Sequence, residues 1–177
     1  KQIVSKVNSK DVAEQAISQV EAQLEQDGIS LSLQNNTSEV SILGNTTAII
    51  GALSNLMMNA KQALMLSKQS KPAVQLHINL IEHHNIQYVV FSVFDNGDGI
   101  EEAKINRIFE PFYTTKSQGT GLGLAVVNTV AKSHKGFAKC GNNSQQGAYF
   151  SLYLPAYVED NTTNLNQAQS GVYDEQN

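Results

Sequence analysis

Cysteine is almost missing from this chain: among 177 residues there is one, Cys140. A lone thiol closes no internal disulfide, which suits a reducing compartment. Positive charge is scarce as well. Arg107 is the only arginine, no run of Lys and Arg occurs, and the formal net charge is −4; that balance argues against a general nucleic-acid binder or a membrane-surface binder. No apolar run approaches the ~20 residues needed to cross a bilayer, and the opening KQIVSKV has neither an initiator Met nor a signal-peptide pattern. The expectation is a cytoplasmic segment of a longer protein that makes no membrane contact of its own. Internal repeats are missing, as are metal-ligand spacings around Cys140 and any Ser-His-Asp order that the elements below would support. What the chain does have is apolar material, 41% of its residues, enough for the core of one ordinary domain.

The elements follow from periodicity. KQIVSKV reads as a strand. SKDVAEQAISQVEAQLEQDG repeats Val12, Ala16, Val20 and Leu24 at helical spacing, with Ser9 as its N-cap candidate and Gly28 as its stop. ISLSLQ and SIL are further strand candidates, and Asn45 or Thr46 caps a second helix expected to end at 67–70, before Pro72. AVQLHINLIEH and IQYVVFSVFD form a hairpin turning at His84-Asn85. A short polar turn of helix runs from Glu101 to Arg107, and IFEPFYTTKSQGTGLGL reads as a loop that packs at its Phe/Pro end and moves at its Gly-rich end. GLAVVNTVAKSHKG makes a third helix with Val126, Val127 and Val130 inward and Gly136 near its C-cap, and FAKCG with AYFSLYLP closes the fold as a hairpin. The expected architecture is an α/β sandwich of the α+β kind: one mixed, mainly antiparallel sheet covered on one face by three helices, spanning 1–158. The remainder, 159–177, is polar and aperiodic and is expected to be a disordered tail.

Four stretches carry chemistry. In LSNLMMNAKQAL, Asn55 and Asn59 lie four residues apart on one helix face, beside the apolar stripe of Ile49, Leu53, Leu56 and Ala60. An isolated pair of this kind more often faces solvent. DNGDGI fixes Asp95 at a strand end where the backbone turns sharply, although a plain turn is the commoner fate of such a hexapeptide. GTGLGLAVV sets Gly119, Gly121 and Gly123 in front of a helix whose free N–H groups and positive dipole end favour an anion; it is neither G-x-G-x-x-G nor a Walker loop. Lys116 just upstream offers a mobile charge for a terminal phosphate.

Taken together, in this order and spacing, NLMMNA, DNGDGI, FEPFYTTK and GTGLGL resemble the N, G1, F and G2 boxes of the catalytic ATP-binding domain of bacterial sensor histidine kinases. That superfamily also contains DNA gyrase, MutL and the large heat-shock chaperone ATPases. The resemblance covers roughly 1–157 and implies a Bergerat fold, with ATP and Mg²⁺ as cofactors bound between the asparagine helix and a lid. It implies that Asn59 is the metal ligand and Asn55 its companion toward the phosphates, and that Asp95 accepts from the adenine amino group with Gly97, Gly99 and Ile100 lining the base. Phe109 and Phe112 resemble the aromatic pair seating the lid. Lys116, Gly119, Thr120, Gly121, Leu122, Gly123 and Leu124 resemble the residues around the triphosphate, so the implied catalytic set is Asn55, Asn59 and Lys116. The chemistry is consistent: a neutral amide oxygen suits Mg²⁺, whose charge is balanced by phosphates, and a carboxylate selects adenine's amino donor over guanine's carbonyl.

Two departures stand out. Where many relatives have a Thr at the start of the last strand, this chain has Gly147-Ala148, without a hydroxyl, which implies a weaker hold on the base. Where some carry a basic residue three positions after the metal asparagine, this chain has Gln62, with Lys61 one position away. In ATP-hydrolysing relatives the position of Asn55 resembles a Glu that serves as general base. None of His77, His83, His84 and His134 lies in a phosphoacceptor-type helix. The implied function is transfer of the γ-phosphoryl group to a histidine on the kinase's own dimerisation domain, and thence to a response regulator. The short lid is most similar to the nitrogen-regulation branch, NtrB-like kinases that signal to σ54-dependent activators, and to flagellar regulatory kinases. The alternatives are an ATP-hydrolysing module of the gyrase kind and a non-catalytic nucleotide sensor.

Overall fold

The computed structural model describes residues 4–111, 113 and 123–159. In chain order the elements are β1 (Ser5–Asn8), α1 (Ser9–Gln26), β2 (Ser30–Asn35), β3 (Ser41–Gly44), α2 (Thr46–Leu66), β4 (Ala73–His83), β5 (Ile86–Asp95), α3 (Glu102–Ile105), α4 (Gly123–Ser133), β6 (Phe137–Asn142) and β7 (Ala148–Pro155).

Five strands form one sheet in the order β2-β4-β5-β7-β6, with β2 parallel to β4 and every other pair antiparallel. The mixed, mainly antiparallel sheet expected from the sequence is therefore present. β1 and β3 make a separate antiparallel pair, tied to the main sheet where Ile42 bridges Ala156 and Tyr157 N–H donates to Ser41. Helices α1, α2 and α4 cover one face, and the core lies between them and the inward residues of the strands: Val74, Leu76 and Ile78 from β4, Val89, Phe91 and Val93 from β5, and Phe150, Leu152 and Leu154 from β7. Side chains alternate inward and outward along β4, β5 and β7, and the inward positions just named are apolar and buried. The outer face carries Tyr88, Phe94, Phe137, Tyr149 and Tyr153, with Phe137 and Tyr153 stacked at 4.4 Å.

Local chemistry explains the boundaries, with two corrections, to the cap of α1 and to Val126. The cap of α1 is Asn8, not Ser9: the Asn8 side chain accepts from Asp11 N–H, while Ser9 is buried as the first helical residue and its N–H donates to Val40. Val126 is exposed on α4, whereas Val127 and Val130 are buried as expected. The residue with positive φ after α4 is Lys135, and Gly136 follows it; Gly136 N–H donates to Ala131 and Lys135 N–H to Lys132, the paired bonds that close a helix C-terminus. The same pair of bonds ends α1 at Gly28 and Ile29, where the stop was expected. Asn45 caps α2 through Ala48 N–H, Ser67 ends it, and His84 and Asn85 turn the β4–β5 hairpin with both φ values positive. The proposed tail falls outside the described residues beyond Glu159, which pairs with Lys6 at the surface.

Candidate active site

α2 is the element on which the site is built. It buries Ile49, Leu53, Leu56, Met57, Ala60 and Leu64 in the core, and truncating a leucine such as Leu53 is expected to cost about 2–5 kcal/mol. That firm seating fixes the flank of the helix. Asn55 and Asn59 are half-buried on this flank, in line with Ala63 four residues further on. Ala63 and Leu64 meet the loop after β5: a Cβ on Gly97 would be 3.6 Å from a Leu64 methyl and 3.9 Å from the Ala63 carbonyl oxygen. At a rise of 1.5 Å per residue, Asn59 and Asn55 stand about 6 and 12 Å from Ala63 along the helix axis. One end of the row is thus a loop, and the other is a pair of amides.

Asp95, the last residue of β5, is only 4% exposed. Its Oδ1 accepts from Gly97 N–H at 2.9 Å and from Ala148 N–H at 3.4 Å, so the carboxylate is held at the loop's root by backbone donors from two elements. Gly97 is buried, Gly99 is exposed in the left-handed region at φ +82, and Ile100 packs against the core. The structure therefore brings Asp95, Gly97, Gly99 and Ile100 together and sets their loop against the helix of Asn55 and Asn59.

Other residues hold the loop, and sequence reading passed over them. Asn96 Oδ1 accepts from Ala73 N–H at 2.8 Å and its Nδ2 donates to the Lys71 carbonyl at 2.9 Å, while Gln69 donates to the Asn96 carbonyl at 2.8 Å. At the far end Asn142 makes two bonds with Ile100: its Oδ1 accepts from the Ile100 N–H at 2.7 Å and its Nδ2 donates to the Ile100 carbonyl at 2.8 Å. For Asn96 the available signal was an asparagine beside a glycine in the turn DNG; for Asn142 there was none.

Of the segment from Ile108 to Leu124, expected to form a lid, the two ends lie among the described residues. Ile108 and Phe109 pack on the core, Phe109 lying edge-on to Phe150 at 6.1 Å between ring centres, and Arg107 sits over the Tyr113 ring at 4.9 Å. Gly123 and Leu124 open α4, with Leu124 against the core. Phe112, Lys116, Gly119, Thr120, Gly121 and Leu122 lie outside the described residues. Lys61 is not in the site: its Nζ pairs with Asp27 Oδ2 at the end of α1, 3.0 Å away.

The histidines and the cysteine have structural surroundings. His77 lies against Phe94 on the outer sheet face, and burial lowers its pKa. His83 and His84 are at the β4–β5 turn. His134 Nε2 accepts from Asn45 N–H at 3.0 Å and Nδ1 is 2.7 Å from the Val130 carbonyl, so the neutral ring with its hydrogen on Nδ1 ties the end of α4 to the start of α2. Burial pushes the Cys140 thiol up to about 11, which leaves it protonated and unreactive at neutral pH.

Among the described residues no group of three His, Cys, Asp or Glu could hold a metal. The donors on α2 are the neutral amide oxygens of Asn55 and Asn59, a set that fits a hard cation whose charge is balanced by a bound anion. No described helix is long and apolar enough to cross a membrane.

The sequence model of the histidine kinase-, DNA gyrase B- and HSP90-like ATPases matches residues 44–158. The chain is 30% identical over 149 residues to the sensor histidine kinase ZraS of Salmonella typhimurium, covering 84% of this chain and 30% of that protein. It is 36% identical over 117 residues to the sensor kinase CckA of Brucella abortus, covering 60% of this chain and 12% of that protein. It therefore spans less than a third of the length of these curated relatives. Among solved structures, the catalytic domain of histidine kinase ThkA superposes with a TM-score of 0.74 at 22% identity, covering 87% of this chain and 96% of that one. Full-length ShkA in complex with AMPPNP gives 0.75 at 24% identity, covering 90% of this chain and 32% of that one. At these identities the two structures establish the fold: a five-stranded mixed sheet with helices on one face.

Proposed function

The chain belongs to the histidine kinase-, DNA gyrase B- and HSP90-like ATPase family, and on that premise we propose that it binds Mg²⁺-ATP and transfers the γ-phosphoryl group to a histidine of an adjacent dimerisation domain. The phosphoryl group then passes to a response regulator, which the resemblance to NtrB-like kinases gives as a σ54-dependent activator. One observation carries this reading: a buried carboxylate, Asp95, at the root of a loop that abuts the same helix flank on which Asn59 and Asn55 are aligned. A nucleotide laid along that flank has its base at Asp95 and its phosphates at the amides.

Each residue then has a chemical task. The Asp95 carboxylate accepts from the adenine amino group, and Gly97 lets the base approach the backbone. Asn59 and Asn55 position the phosphates through their amides, and Lys116 supplies positive charge at the terminal one. Mg²⁺, when bound, supplies charge neutralisation on the phosphate oxygens. A neutral imidazole nitrogen attacks the γ-phosphorus with its lone pair as the bond to the β–γ bridging oxygen breaks. ADP leaves with that electron pair, and the phosphorylated ring loses its proton to solvent.

The acceptor is not one of this chain's own histidines on this reading. His77, His83 and His84 lie on the outer sheet face and its hairpin, and both His134 nitrogens are engaged between α4 and α2. Incubating the chain with γ-labelled ATP, Mg²⁺ and a separately supplied dimerisation domain tests the proposal. Acid-labile label on a histidine of that domain is the expected result. Label released only as phosphate would favour the ATPase alternative, and nucleotide binding without either product would favour the sensor.

A further inference from the structure

We propose that Asn142 is a positioning residue for the base-binding loop, setting nucleotide affinity through Ile100 without touching the nucleotide. This role rests on the ATP-binding reading above. The loop from Asn96 to Ile100 leaves the end of β5 and has no strand partner of its own. Its first half is tied down by Asn96 to Lys71 and Ala73. Its second half is tied down by Asn142, whose amide pairs with both the N–H and the carbonyl of Ile100 at 2.7 and 2.8 Å, the donor-acceptor pattern that a neighbouring strand would offer.

The clamp also accounts for Gly99. A Cβ there would be 2.7 Å from the Asn142 Oδ1, and the residue sits at φ +82, so only glycine lets the backbone fold under that amide. Asn142 is in turn fixed as the last residue of β6, paired with Ala148, with the turn closed by the Asn143 N–H to Gly147 carbonyl bond at 2.9 Å. Gly147 and Ala148 are the residues that contact Asp95. One turn, 142–148, therefore holds the base-binding loop at both of its ends, Asp95 and Ile100. Loss of the Asn142 amide frees the Gly99–Ile100 segment while the Asp95 end stays in place.

The test is calorimetric titration of wild type, Asn142→Ala and Asn142→Asp with ATP, ADP and GTP, at a temperature where each is fully folded, together with hydrogen exchange at the Ile100 amide. Asn142→Ala is expected to weaken ATP and ADP by the same factor, about tenfold for two lost hydrogen bonds, to narrow the preference for ATP over GTP, and to abolish protection of the Ile100 amide. Asn142→Asp keeps the acceptor for the Ile100 N–H and loses the donor to its carbonyl, so it is expected to restore protection and recover part of the affinity. A purely structural role would lower the melting temperature and leave the affinities of the folded protein equal. Wild type that binds no nucleotide would sink the reading on which the role depends; wild type that binds, with Asn142→Ala binding equally well, would sink the role alone.

Discussion

Gly147 lies against Asp95 so closely that a Cβ on it would overlap the Asp95 carbonyl oxygen, and its φ of +85 already puts it where side chains are strained. The next residue, Ala148, points its N–H at the Asp95 carboxylate. The last hairpin is thus part of the wall that holds the buried acid, and glycine is the only residue that fits. Gly147→Ala is expected to lower unfolding free energy by about 2–4 kcal/mol, from backbone strain together with overpacking. Gly51, inside α2, would place a Cβ with nothing within 4 Å beyond its chain neighbours and the helix's own backbone; Gly51→Ala is expected to raise stability by about 0.5–1 kcal/mol through better helix propensity. Urea unfolding of the two variants side by side checks both signs.

Asp95 leads to a prediction about base selection. A carboxylate accepts a hydrogen bond from adenine's amino group and repels guanine's carbonyl oxygen, so Mg²⁺-ATP is expected to bind at least tenfold more tightly than Mg²⁺-GTP. Asp95→Asn, which gives the site a donor as well as an acceptor, is expected to weaken ATP and narrow that ratio. Equal affinities of wild type for the two nucleotides in a calorimeter would remove Asp95 from this role.

Much of this was legible in the sequence because it depends on local periodicity. The alternation in IQYVVFSVFD, the 4-3-4-3 spacing before Asn59, Gly28 at the end of α1 and His84-Asn85 at the hairpin all act through near neighbours, and each element formed where its pattern was read. Two things were not legible. The choice between Asn8 and Ser9 as cap depends on which residue the small β1–β3 sheet buries, and that sheet joins segments more than thirty residues apart. Asn142 acquires its task only when β6 arrives beside a loop some forty residues earlier, and nothing in the local string CGNN shows that pairing. The Lys61–Asp27 pair is similar: Lys61 lies two residues from Asn59 in sequence, but the helix turns it toward the end of α1.

Acid sensitivity follows from His77. Burial beside Phe94 lowers its folded pKa below the ordinary value of 6.5, so the folded chain binds fewer protons than the unfolded one as pH falls through that range. The associated stability is fully present above the ordinary value and is lost as pH falls through the lowered folded pKa. His83 is shifted the same way, first by desolvation and then by the charges of His84 and Lys139. His77→Gln is therefore expected to remove part, and not all, of the downward slope of stability between about pH 7 and pH 5. Unfolding free energies measured across that interval for both proteins decide it, and parallel curves would exclude His77 as a source.

The two asparagines of α2 bear on whether the γ-phosphoryl group goes to histidine or to water. Water needs a base to take its proton as it attacks, and in the ATP-hydrolysing relatives the position of Asn55 resembles a Glu that does this. An amide cannot accept that proton at neutral pH. A neutral imidazole already has a nucleophilic lone pair and needs mainly to be positioned. On the proposed reading, with Asn59 at the metal and an amide instead of a carboxylate at 55, both half-buried on one helix flank, transfer to a histidine is expected to win over loss to water. The isolated chain is expected to hydrolyse ATP negligibly, and to label a histidine once a dimerisation domain is supplied. Asn59→Ala and Asn59→Asp are expected to reduce that labelling by about a hundredfold or more, because the metal's contribution at a phosphoryl-transfer transition state is several kcal/mol. Asn55→Glu tests the companion residue, since it restores a base where the amide stands: hydrolysis is expected to rise and the labelled fraction to fall. Phosphate release and phosphohistidine measured in the same reactions give the ratio directly. Rapid hydrolysis by the unmodified chain, lost on replacing Asn55, would reverse the assignment in favour of the ATPase.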